Sequence, residues 1–216
     1  MMQFIHSGGP FMYIILGVSF FAAALICERF FVLTFCYTFK SHFFEKVIRS
    51  LKHENVRNTV KLCRSTSHPL AVTITEVIKN IGQSKEVIES AAYVSIQKTI
   101  PKIQKRTNYI QMIGNVATLL GLLGTIQGLI QSFSSLAALD AAAKATALAS
   151  GISTAMNTTA LGLIVAIPCI VSFTILSNKE RAILQKYDEV LSEVIHIVTS
   201  DPRINAGNDE TIKKAS

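Results

Sequence analysis

Hydroxyl and amide side chains recur at regular spacing inside two stretches of the chain that hold no charge. Gln111, Gly114, Thr118, Gly121, Thr125, Gly128, Ser132 and Ser135 alternate at intervals of three and four residues, which puts all eight on one face of a helix. Leu119, Leu120, Leu123, Ile126 and Ile130 fall largely elsewhere on that helix. A second row, Gly151, Ala155, Thr159, Gly162, Ala166 and Cys169, has similar spacing, and Thr154, Asn157 and Thr158 lie beside it. In apolar surroundings small residues let helix backbones approach closely, and hydroxyls bond across the contact. Such rows either seat a neighbouring helix or line a polar path where several copies meet. A plainer alternative is that each threonine donates to the carbonyl one turn earlier. Pro168 lacks a backbone donor and leaves the carbonyl of Ile164 free to bond elsewhere.

Other chemistry finds little support. Cys27, Cys36, Cys63 and Cys169 are scattered, without a CxxC pair or a histidine at ligand spacing, so neither a disulfide framework nor a metal site is indicated. His6, His42, His53, His68 and His196 are far apart, and no nucleophile motif accompanies them; an enzyme and a cofactor are not expected. A phosphate-binding GxxxxGK[ST] loop is absent from the sequence.

The elements that must carry the two rows follow from composition. The chain has 216 residues, half of them apolar, and a mean hydropathy of +0.40. Residues 1–27, 107–139 and 145–178 contain no Lys, Arg, Asp or Glu, and each run exceeds the roughly 20 residues that cross a bilayer core. The expected fold is an all-α membrane protein with three transmembrane helices, at 11–37, 109–133 and 151–177. Residues 1–10 form an outer N-terminus, 38–108 a cytoplasmic helical region, 134–150 a short outer turn, and 178–216 a cytoplasmic helical tail that is disordered at its end. No basic segment precedes the apolar run from Phe11, so the first span reads as retained and not as a cleaved signal.

Orientation comes from charge. Residues 38–108 hold 13 of the 21 Lys and Arg residues, and residues 1–10 hold none. Cytoplasmic loops concentrate such residues, so the 38–108 region and the C-terminus are expected inside and the N-terminus outside. Topology therefore accounts for the net charge of +7, and nucleic acid is not needed to explain it. Within 38–108, Phe43, Phe44, Val47, Ile48 and Leu51 keep helical spacing, as do Val56, Val60 and Cys63. Ser67-His68-Pro69 interrupts, Ile74, Val77, Ile78 and Ile81 resume, and Gly82 marks a turn before a helix capped by Ser84. That helix is expected to run through a kink at Pro101 directly into the second span. The tail keeps the period at Ile183, Tyr187, Val190, Val194 and Ile197. An unbroken helix from Gly151 to Ser200 would be roughly 75 Å long.

Gly121-Leu-Leu-Gly-Thr-Ile-Gln-Gly128, followed by Ser132-Phe133, resembles the second-span signature of the MotA/TolQ/ExbB proton channel family. Gly151-Ile152 and Thr158-Thr-Ala-Leu-Gly-Leu-Ile-Val-Ala-Ile-Pro168 resemble its third-span signature, and Glu28-Arg29, His68-Pro69-Leu70-Ala71 and Ile100-Pro101 sit at further matching places. Three spans with one large inner loop are similar to the TolQ/ExbB branch. The resemblance implies a homopentamer in the bacterial inner membrane, built around a central lumen. That lumen would hold a dimer of an ExbD/TolR-like single-span partner, which supplies an intramembrane Asp. Ion flow would then turn the pentamer against the dimer and do mechanical work on the cell envelope. A charge crossing 100 mV releases about 2.3 kcal/mol, which suits such a motor.

Carried over by position, Thr125 and Thr159 correspond to the family's two span threonines and would face the lumen. A hydroxyl donates to a carboxylate and accepts from its protonated form, so it can hold a relay without a second charge. Gly114, Thr118, Gly121, Gly128, Ser132, Gly151, Ala155, Gly162 and Ala166 would form the packing and partner-facing stripes. Two departures stand out. Thr154 replaces the Glu of the family's Gly-Ile-Ala-Glu-Ala, leaving no carboxylate in the second and third spans. Thr118 replaces a common Pro and removes a kink. The proton site must then come from the partner. Otherwise the oxygens of Thr154, Asn157, Thr158 and Thr159 serve a hard cation such as sodium. Glu28 and Arg29, at the inner end of the first span, either pair and snorkel structurally or take part in ion exit. The rival from another class is a membrane scaffold that conducts nothing.

Overall fold

Side chains that alternate every three or four residues produce helices throughout. The computed structural model describes residues 9–37, 41–53, 56–66, 68–136 and 141–200, and every regular element among them is helical. Helix α1 (Pro10–Phe31) continues into a π-helical segment, Val32–Cys36. Four shorter helices follow: α2 (Ser41–His53), α3 (Val56–Arg64), α4 (Pro69–Lys79) and α5 (Lys85–Ile103). The long helices α6 (Thr107–Leu136) and α7 (Ala141–Ser200) are the last described elements. Among the described residues three stretches are long and apolar enough to cross a membrane, namely Pro10–Phe35 and one each within Lys85–Ser134 and Ala143–Ser200. At 1.5 Å per residue α7 alone is about 90 Å long.

The described residues divide into two packed units. The first comprises α1, α6 and α7 up to Ser177. Its core joins Ile15, Ala22 and Leu25 of α1 to Ile110, Ile113 and Ala117 of α6 and to Val165, Ala166, Cys169 and Leu176 of α7. Large apolar side chains also cover the outside, among them Phe20, Leu119 and Ile164, which are 81 %, 63 % and 62 % exposed. That much exposed apolar surface suits lipid and not water.

The second unit comprises the chain from Val32 to Lys105 together with α7 from Asn178. Phe44, Val47, Leu70, Ile74, Ile88 and Ile96 pack against Ile183, Tyr187, Val190 and Val194 of α7. Pro69 occupies the first turn of α4, where its missing donor costs nothing, and His68 holds the N-cap position. The His68 ring stands edge-on to Phe44 at 5.2 Å. Its Nε2 lies 3.4 Å from the buried Tyr187 hydroxyl. Gly82, with φ of 90°, makes the turn ahead of α5. Ser84 holds the N-cap position of α5, although its hydroxyl makes no cap bond. A backbone hydrogen bond at Glu86 and this Ser84 hydroxyl hold the Glu86 carboxyl below its usual range.

Three local expectations change. Residues 134–150 are not one turn, because α6 extends to Leu136 and α7 begins at Ala141; the alanine-rich 141–150 stretch has the propensity to join the helix that follows. The junction between α5 and α6 is broken, not kinked. Pro101 lies within the last turn of α5, and Arg106 adopts φ of 67° before α6 starts. A left-handed residue cannot continue a right-handed helix. Glu28 pairs with Arg106, 2.6 Å away, and not with its neighbour Arg29, which is buried. Consecutive helical residues point about 100° apart, so each finds a different partner. The expected disorder of the C-terminal end falls at 201–216, outside the described residues.

Candidate functional site

The small residues of α6 and α7 meet each other within one chain, in an antiparallel seam. Added to Gly114, a Cβ would stand 3.1 Å from the Cβ of Cys169; at Gly121, 3.4 Å from the Cα of Gly162; at Gly128, 3.2 Å from the Cβ of Ala155. Gly151 faces Ser132 at the end of the seam away from Gly114. Each step of seven along α6 is thus answered by a step of seven back along α7. A seven-residue repeat keeps one face toward a partner over many turns. From Gly114 to Ser132 the seam is about 27 Å long, most of the thickness of a bilayer core. The closest approach to backbone is at Gly162, where a Cβ would lie 2.8 Å from the Ala117 carbonyl oxygen and 3.0 Å from the Cα of Gly121.

Helical geometry then sorts the remaining side chains into flanks. Ile113 and Leu120 on α6, with Leu161 and Val165 on α7, belong to the core shared with α1 and lie on one side of the seam. Thr118 and Thr125 on α6, and Thr159 on α7, fall on the opposite side. Thr118 is exposed, and Thr125 and Thr159 are half-buried. Thr118 therefore stands beside the row of contacts to α7, which runs through Ala117 and Gly124.

The threonine hydroxyls do not all behave alike. Thr118 donates to the carbonyl of Gly114 at 3.2 Å, Thr125 to that of Leu122 at 2.6 Å, Thr154 to that of Ser150 at 3.0 Å and Thr158 to that of Thr154 at 2.8 Å. These local bonds satisfy the donor and leave the oxygen lone pairs as acceptors. Thr159 instead donates across the seam to the Gly121 carbonyl at 3.2 Å.

Four residues expected to offer oxygens to one ion are dispersed. Thr158 is fully buried within the seam against Gly124. It reaches a path only if α6 and α7 separate. Thr154, beside Gly9, and Asn157 lie on the α1 flank, and Thr159 lies on the other. A cation cage needs six or so oxygens converging at about 2.4 Å, and this arrangement does not provide one. Among the described residues, no cluster of three His, Cys, Asp or Glu side chains could hold a metal.

Ala117 and Gly124 are members of the seam that the two sequence rows do not include. The signal was available, since Ala117, Gly121, Gly124 and Gly128 are themselves small residues three and four apart. The pairing of Arg106 with Glu28 leaves no local trace in the sequence, because 78 residues separate the two.

Comparison with curated proteins returned no match. The profile of the MotA/TolQ/ExbB proton channel family matches residues 41–189, a range that takes in α2 to α6 and most of α7, including the whole seam. With its three apolar helices and its small-residue seam, the chain belongs to the MotA/TolQ/ExbB proton channel family.

Proposed function

We propose that this chain is the channel subunit of an ExbB/TolQ-like motor in the bacterial inner membrane. Five copies enclose two single spans of an ExbD/TolR-like partner, with the N-terminus of each copy periplasmic and the C-terminus cytoplasmic. The motor converts proton-motive force into mechanical work on the envelope. The observation that carries the reading is the shared flank of Thr125 and Thr159. By the helical period and the pattern of burial, they lie on the side of the α6–α7 pair away from the core shared with α1. Residues 107–139 and 145–178 contain no carboxylate, so the titrating group comes from the partner. The two hydroxyls serve it by donating to its ionised form and accepting from its protonated one. The dispersal of Thr154, Asn157, Thr158 and Thr159 favours protons over sodium as the driving ion.

Native mass spectrometry of the chain in detergent, alone and co-expressed with a candidate single-span partner, tests the assembly. Five copies, rising to five plus two, are expected. A stable monomer that ignores the partner would leave a membrane scaffold as the better reading. Replacing sodium by choline should leave flux through the complex intact, and sodium-dependent flux would overturn the proton assignment.

A further inference from the structure

The open flank of α6 carries polar groups that neither the seam nor the threonine pair absorbs. Gln111 and Asn115 lie in the charge-free 107–139 run, and both are exposed. Neither amide has a hydrogen-bond partner among the described residues. On the helix they continue the line of Thr125 and Thr118 toward the Arg106 end, at successive spacings of seven, three and four residues. Only Leu122 interrupts the row, and it too is exposed, at 54 %. An amide that faces hydrocarbon without a partner costs several kcal/mol. Leu119, one position beyond Thr118 and 63 % exposed, shows what the lipid-compatible side of the same turn contains.

We infer that Gln111, Asn115 and Thr118 line a water-filled arm of the ion path, leading from the Thr125–Thr159 level to the inner end of α6. The inference rests on the proposed channel reading and extends it. From Thr125 to Gln111 is about 21 Å along the helix, which exceeds half of a bilayer core of about 30 Å. Three hydrogen-bonding side chains over that distance replace hydration without introducing a fixed charge. A proton or hydrated cation leaving the partner's carboxylate therefore meets no fixed charge that would trap it. Asn115 is the central member of the row and holds the water chain by offering both two donors and an acceptor.

The test places single cysteines at 115, 118, 119 and 125 in the full chain, co-expressed with the partner. Cys27, Cys36, Cys63 and Cys169 are replaced by Ser, after that background is shown to conduct. A membrane-impermeant methanethiosulfonate reagent attacks the thiolate, which forms in water and not in lipid. Labelling at 115 and 118 should outpace labelling at 119 by at least about tenfold, since one pKa unit of thiol perturbation is worth that factor. Equal rates at 115 and 119 with 125 still reactive would overturn the arm while sparing the channel reading. Protection of 115, 118 and 125 together would sink both. Spontaneous disulfide formation between copies at 115, without labelling, would show that the amide closes a protein–protein contact, and would overturn the arm alone. Asn115→Leu should reduce proton flux severalfold, and Asn115→Ser should retain most of it, with the number of assembled copies unchanged. Equal flux in the two variants would also refute the assigned role of Asn115.

Discussion

The hydroxyl of Thr159 donates to the backbone carbonyl of Gly121 at 3.2 Å, joining α7 to α6 across 38 residues of sequence. The bond spans a close backbone approach, where an added Cβ on Gly121 would sit 3.3 Å from the Cα of Thr159. It fixes the orientation of Thr159 at the edge of the seam and leaves its lone pairs free.

Thr159→Val keeps the shape and removes the hydroxyl. It should cost only about 0.6 kcal/mol in stability, the usual size of such a bond in a membrane. Proton flux in the assembled complex should fall by an order of magnitude or more, as for loss of a positioned polar group. Thr159→Ser should conserve flux. Flux measurements on proteoliposomes, with the copy number checked by native mass spectrometry, decide the matter.

Substitutions in the seam should rank by what they strike. In Gly162→Ala the new methyl meets the Ala117 carbonyl oxygen at 2.8 Å and the Gly121 Cα at 3.0 Å, backbone atoms that cannot rotate aside. Gly124→Ala meets the Thr158 side chain, with its Cβ at 2.8 Å. Gly17→Ala meets nothing within 4 Å. Expected losses are about 1–3 kcal/mol for the two seam variants, Gly162→Ala being the larger. Gly17→Ala should be neutral or slightly stabilising. Thermal unfolding in detergent gives the order.

Arg106 combines a left-handed backbone, φ 67°, with an ion pair to Glu28 at 2.6 Å. A non-glycine residue in that region pays roughly 1–2 kcal/mol, whereas a half-exposed ion pair returns at most about 1 kcal/mol. Arg106→Gly should therefore be no less stable than the parent, and Arg106→Ala should be the least stable of the three. A melting order with glycine lowest would refute the strain argument.

Cys63 is buried in the second unit, and burial pushes its thiol up to about 11, against a smaller opposing effect of a hydrogen bond with Thr75. A raised pKa favours the neutral thiol in the folded state. Its stabilisation is complete below the unfolded value of 9.0 and is lost as pH rises toward about 11. Chemical denaturation followed from pH 8 to 11 should show falling stability, and Cys63→Ala should flatten that fall. Cys63 should also resist thiol reagents at pH 8 until the unit unfolds.

Much of this protein is determined locally and can be read without coordinates. Spans of 33 and 34 uncharged residues, at 107–139 and 145–178, specify helices in lipid because no other structure there satisfies its own backbone. Pro69 and Gly82 set a helix start and a turn through their own dihedral preferences. The glycine repeat announced a close helix contact and left its partner open. Only the tertiary structure decided that Gly114, Gly121 and Gly128 are spent on α7 of the same chain, leaving Thr118 and Thr125 on the open flank. It also separated Thr158 from Thr159, adjacent residues of which one is sealed in the seam and the other bonds across it. The period of a helix says which residues share a face, and the choice of neighbour for that face depends on the packing of distant segments.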